Sequence, residues 1–286
     1  MPHAIGFVDN TGGTLAHYKM LEKIRDVAVA SGFWTVMRYD TRIANRELIL
    51  KGQGFTGTEE IYVGVRTYQD ASADYYNLCV ATFTGYVPSN TFDTQPGVRL
   101  SGVPAHNQRI DYWLSVNPQR IICCMKVGTP VYEHFYIGKF FPYARPSQYP
   151  YPMICGGMLN GAATTRFSDT SHSMPYKGYT NSTTPRNLYM RFNTGLYFQP
   201  ETHPWNNIYL AGPTASQTQL RDTNNNYPLL PVMLTDTNGI YGELDGIRYI
   251  SGFNNVVENT CGADWVVLQD VSRTGFIDYI AFKLDA

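Results

Sequence analysis

Between Thr14 and Gly32 the apolar residues recur at helical spacing. Met20, Leu21, Ile24, Val27 and Ala28 fall on one stripe, with Lys19, Glu22, Lys23, Arg25 and Asp26 opposite. The pattern predicts one amphipathic helix, capped by Thr14 and stopped at Ser31-Gly32, where glycine adopts a left-handed turn at little cost. His17 lies on the apolar side and reads as a packing residue without chemistry.

Beyond Gly32 the period changes to two, or to short apolar runs. "FWTVMRY" (33–39), "ELILK" (47–51), "EIYVGVRTY" (60–68), "YYNLCVATFTGY" (75–86), "RIDYWLSV" (109–116), "RIICCMKV" (120–127) and "VYEHFYIGKF" (131–140) read as strands. Ile110, Tyr112, Leu114 and Val116 alternate with Asp111 and Ser115, the pattern of a strand with one buried face. "VNPQR" (116–120) then reads as a hairpin turn. Strands resume in "LYMRFN" (188–193), "PLLPVMLT" (228–235), "GIRYISG" (246–252), "DWVVLQD" (264–270) and "GFIDYIAFKL" (275–284). Asn238-Gly239 is a favoured pair for a type I′ hairpin.

Two stretches, 158–187 and 213–228, are polar and unpatterned, which suits surface loops or a boundary between β units. The expected fold is therefore mainly β with one N-terminal helix (an α+β start) and β-sandwich-like units. The expected division is a small α/β region at 1–55, a β domain at 56–170 and a second at 171–286. No fixed repeat points to a propeller or solenoid.

Composition narrows the partners. The 22 basic and 23 acidic side chains leave a net charge of −1, without the basic footprint that binding to nucleic acid or anionic lipid requires. Charged residues are only 16% of the chain, so tyrosine, threonine, asparagine and glycine must supply much of the surface, and low net charge favours association. The start "MPHAIGFVDNTGG" lacks the features of a secretory signal, and no run is long enough for a membrane-spanning helix. The expectation is a soluble protein made in a cytoplasm, with neither nucleic acid nor membrane as partner.

Candidate chemistry is sparse. Cys79, Cys123, Cys124, Cys155 and Cys261 are odd in number and scattered, so they read as reduced packing residues, with Cys123 and Cys124 on opposite faces of one strand. There is no Walker-type loop, GxSxG elbow, HExxH or paired CxxC. "GQGFTG" (52–57) precedes a strand pattern, so no helix N-terminus would receive a phosphate. Glycoside hydrolysis needs two carboxylates at a set separation. Glu59, Glu60, Asp70, Asp74, Glu133, Glu243 and Asp245 are available, but nothing in the sequence pairs them. His106, His134, His172 and His203 lack metal-ligand spacing. No catalytic residue, cofactor or metal site is assigned. Trp113, Trp205, Tyr143, Tyr149 and Tyr151 could instead serve as stacking platforms for a glycan.

"FPYARPSQYPYP" (141–152) places four prolines among three tyrosines. Proline excludes a central strand and favours extended, stiff backbone. Tyrosine and arginine are common interface anchors. Tyr143, Arg145, Tyr149 and Tyr151 are therefore the candidate interface residues, and an arm covering the chain's own sheet edge is the competing reading.

"EEIYVGVRTYQDASADYYNLCVATFTGYVP", "VYEHFYIGKFFPYARPSQYPYPMICGG", "IYGELDGIRYISGFNNVVENT" and "VVLQDVSRTGFIDYIAFKLD" resemble, in order from about residue 45 to the C-terminus, blocks of a family of tailed-bacteriophage virion structural proteins encoded among tail and baseplate genes. "SVNPQRIICCMKVG" departs from that pattern in its double cysteine. The resemblance brings no catalytic motif. It implies a non-enzymatic particle component, located in the virion tail and contacting other tail or baseplate subunits and copies of itself. A receptor- or glycan-binding module at the tail tip or fibre is the alternative.

Overall fold

A computed structural model describes residues 2–128, 131–144, 152–169, 171–177, 187–191, 196–203, 229–250, 264–271 and 278–285. Among these residues the protein is mainly β, with one α-helix near its N-terminus. In chain order the elements are β1 (His3–Val8), α1 (Ala16–Ala30), β2 (Trp34–Asp40), β3 (Glu47–Gly52), β4 (Ile61–Asp70), β5 (Tyr75–Phe83), β6 (Arg99–Val103), β7 (Ile110–Val116), β8 (Arg120–Val127), β9 (Val131–Lys139), β10 (Phe141–Pro142), β11 (Met153–Gly157) and β12 (Leu159–Asn160). They continue with β13 (Asn187–Arg191), β14 (Tyr197–Phe198), β15 (Glu201–His203), β16 (Leu229–Asp236), β17 (Gly239–Ile250), β18 (Trp265–Gln269) and β19 (Tyr279–Lys283).

Three antiparallel sheets result. The first, in the order β1-β7-β8-β9-β11-β13-β14, lies between the other two. On one face it packs against the sheet β12-β6-β5-β4-β3-β2, through β9 and β11 against β4, β5 and β6. On its other face it is tied to the sheet β15-β16-β17-β19-β18 by ion pairs from Arg120 to Asp245 and Asp285, and by the His134 ring nitrogen bonded to the Gln269 carbonyl. A hydrophobic cluster runs without a break from α1 through all three sheets.

The central position explains a departure from the sequence pattern. Ser115, expected on a solvent face, is fully buried, and its hydroxyl donates a 2.8 Å hydrogen bond to the Asp285 carboxylate. Trp113 is buried too, stacked on Tyr132, so β7 has both faces covered. The continuous apolar run of β8 has the same cause: Cys124 faces His134 on one side while Cys123 lies on the other. The outer face of the β2–β6 sheet has its own small core of Ile49, Tyr62, Ala81, Phe83 and Phe92, with the 84–98 loop bringing Phe92 over it.

The helix follows the sequence pattern on its buried stripe, where Ala16, His17, Met20, Leu21, Ile24, Val27 and Ala28 pack inward. Its start differs. Leu15, not Thr14, occupies the N-cap, and no side chain caps the helix. Gly32 closes it with φ of +75° as expected. Burial against the Tyr18 and Tyr76 rings pushes the His17 pKa down to about 3, so it packs as a neutral ring.

The strands before residue 55 join later ones: β1 pairs with β7, and β3 with β4. The expected boundary at 55/56 thus falls between two hydrogen-bonded strands. Strands β1, β6, β10, β11, β12, β14 and β15 fall outside the stretches that the sequence pattern marks as strands. The 238–239 hairpin forms, but Asn238 does not have the positive φ of a type I′ turn. The Asp236 carboxylate accepts from the amides of Asn238 and Gly239 and makes the turn instead. Among the described residues no helix is long and apolar enough to cross a membrane.

Candidate functional site

Of the four candidate interface residues, Tyr143 is described; Arg145, Tyr149 and Tyr151 lie outside the described residues, as does most of 141–152. The segment leaves β9 and turns at once into β10, which pairs with Glu243 and Gly242 of β17. Pro142 cannot donate to a ladder, so β10 is short. Tyr143 extends this pairing through its amide, which donates to the Tyr241 carbonyl at 3.0 Å. Its hydroxyl donates to Glu243 at 3.1 Å, and Glu243 also takes a 2.9 Å bond from Arg248. Partial burial, then the Glu243 charge, pushes the Tyr143 pKa up to about 12. The phenol is therefore held as a donor while its ring stays 51% exposed, beside Phe141 at 55%. Nearby, the Tyr241 ring meets Phe198 at 5.8 Å. A second exposed apolar pair, Ile5 and Phe7, stands on edge strand β1, with Arg109 over the Phe7 ring.

The carboxylates considered for hydrolysis are engaged elsewhere. Glu59 pairs with Lys139, Glu60 with Lys51, Glu243 with Arg248 and Asp245 with Arg120. Asp70 holds the Ser72 turn, and Asp74 lies 3.6 Å from Arg166. Glu133 is fully buried with His172, whose ring nitrogen is 2.9 Å from it. Burial raises the Glu133 pKa to about 7. Burial lowers that of His172, but the Glu133 charge outweighs it and the net direction is up. Between them the two groups hold a proton to neutral pH. The buried position of Trp113 removes it as a glycan platform; Trp205 lies outside the described residues.

His172 is the unexpected part. The sequence placed it in a polar surface loop, yet His172, Ser173, Met174 and Tyr176 are buried. β11 pairs with β9 only from Tyr136 to Lys139, and this strap runs past Glu133 at the other end of β9. It is anchored from the outer sheet: Asp270 accepts from the Met174 amide at 2.7 Å and the Tyr249 hydroxyl donates to the Tyr176 carbonyl at 2.5 Å. Lys177, at its end, lies 3.0 Å from Asp270 and 2.5 Å from Asp278. Burial raises the Asp270 pKa; it lowers that of Lys177, but the two carboxylates outweigh it and the Lys177 pKa is raised. An acid and a histidine inside the apolar run "VYEHFYIGKF" were the available signal that a partner must be buried with them.

Cys79, Cys123, Cys124 and Cys155 are buried and reduced; Cys261 lies outside the described residues. Among the described residues, no group of three or more histidine, cysteine, aspartate or glutamate side chains could hold a metal ion. No family model matches the chain, and the comparison with curated proteins finds no significant match.

Proposed function

We propose that this chain is a non-enzymatic structural component of a tailed-phage virion, in the tail or baseplate, made in the host cytoplasm and acting through contacts with neighbouring subunits and copies of itself. The observation that carries this reading is the division of labour among side chains. Ionisable groups that could do chemistry tie the chain's own sheets together, while aromatic rings stand exposed at a sheet edge beside the tyrosine- and proline-rich arm. Exposed rings held by backbone pairing suit interface anchors, because little ordering entropy remains to be lost on contact. The block resemblance points the same way. A symmetric particle would use the same patch in every copy.

The exposed Phe141 and Tyr143 rings also suit a glycan-binding tail-tip module. Deleting the coding sequence from its phage genome separates the readings. A structural subunit predicts lysates with incomplete or tailless particles by electron microscopy, restored by supplying the chain in trans. Morphologically complete particles that merely fail to adsorb would favour the glycan-binding reading, and complete particles with normal infectivity would refute both.

A further inference from the structure

We propose that Lys177 and Asp278 become joined by an intramolecular isopeptide bond, with Asp270 relaying the protons. The three side chains form a compact group with little access to water: Lys177 is 11% exposed, and Asp270 and Asp278 are 0% exposed. The amine nitrogen lies 2.5 Å from one Asp278 oxygen, so the two groups that react are already held in contact. Asp270 is fixed for its role. One of its oxygens accepts from the backbone amides of Met174 and Val271, leaving the other 3.0 Å from the Lys177 nitrogen.

The reaction needs no outside reagent. The Lys177 nitrogen forms a bond to the Asp278 side-chain carbonyl carbon, and one carbon–oxygen bond of that carboxylate breaks. The ammonium loses two protons, both of which depart on the released oxygen as water. Asp270 takes a proton from nitrogen and returns it to the leaving oxygen; burial, which raises its pKa, makes it a competent carrier. The ammonium and carboxylate charges cancel in the product. Removing the ammonium and the Asp278 charge from a site poor in water favours the amide, as does the scarcity of water to reverse it, and the Asp270 carboxyl group left behind keeps the Met174 and Val271 amide hydrogen bonds.

The bond would fasten the strap that crosses the central sheet to the segment entering β19, and so weld the outer sheet to it. Intact-mass spectrometry of the purified full chain tests this directly. The expected mass is one water below that of the sequence, and proteolysis should yield a branched peptide joining the fragments that carry Lys177 and Asp278. Lys177→Arg keeps the positive charge but removes the primary amine, and should show the full mass of its sequence. Asp270→Asn, checked for folding by circular dichroism, should leave most molecules at the unlinked mass. A wild-type mass without the water loss, or a water loss that persists in Lys177→Arg, would overturn the bond. A fully linked Asp270→Asn protein would overturn the relay.

Discussion

Replacing Arg120 with methionine probes the joint between the central and outer sheets. The guanidinium is fully buried, 3.2 Å from Asp245 and 2.6 Å from Asp285. Methionine fills much of the same volume but takes the buried guanidinium away from Asp245 and from Asp285, which keeps only Lys283 at 4.0 Å. Removing one partner of a buried ion pair costs about 3–5 kcal/mol. At roughly 2–4 °C per kcal/mol for a chain of this size, the melting temperature should fall by roughly 6–20 °C. Urea unfolding followed by circular dichroism measures the loss. Neutralising the stranded acids, in Arg120→Met with Asp245→Asn and Asp285→Asn, should recover at least half of it, because the penalty lies in unpaired charge and not in lost packing. A loss below about 1 kcal/mol, the value of an exposed pair, would refute the placement of Arg120 as a buried tie.

Four further expectations follow from the structure. Glu133 keeps its proton in the folded state up to about pH 7 but would release it near 4.5 when unfolded, and the raised His172 pKa acts in the same direction. Stability should therefore fall as pH rises from about 4.5 to about 7, by at most about 1.4 kcal/mol per pH unit. Glu133→Gln should flatten that limb in urea titrations, and an unchanged slope would contradict the assignment. His17 and His134, whose pKa values burial pushes down to about 3 and about 4, act oppositely and remove stability as pH falls below 6.5. Gly246→Ala should cost at least about 1 kcal/mol, since φ is +78° and a Cβ would lie 2.3 Å from the Arg120 guanidinium; a neutral result in thermal melts would contradict this. Phe141→Ala with Tyr143→Ala should change the melting temperature of the isolated chain little, because both rings are more than half exposed, while lowering incorporation into particles; a large loss of stability instead would make this edge internal scaffold.

The sequence and the structure agree where one rule dominates. The α1 stripe follows from helical periodicity, and the strands β3, β4, β8 and β9 from short apolar runs, whose near-continuous burial has both faces covered. Strand β1 escaped notice because "HAIGFV" is short and borrows its stability from β7. The alternation in β7 suggested a solvent face, which the outer sheet covers; which sheet lies in the middle depends on long-range pairing that no local window reports. The strap at 172–177 looked like surface because it lies in the polar, unpatterned stretch 158–187. It is buried because Glu133, Asp270, Asp278 and the Tyr249 hydroxyl supply partners from strands far away in the chain. For Tyr143 the sequence left both an interface and an arm over the chain's own sheet edge open, and neither its half-exposed ring nor its tie to Glu243 could be read from it.

The most direct test of the proposed assembly role is quantitative mass spectrometry of gradient-purified virions of a phage whose genome carries this coding sequence. The account predicts the chain as a reproducible particle component, in a fixed ratio to the tail tube and baseplate proteins that survives salt and detergent washing. Its absence from infectious particles, with the chain found only in the soluble lysate, would contradict the account.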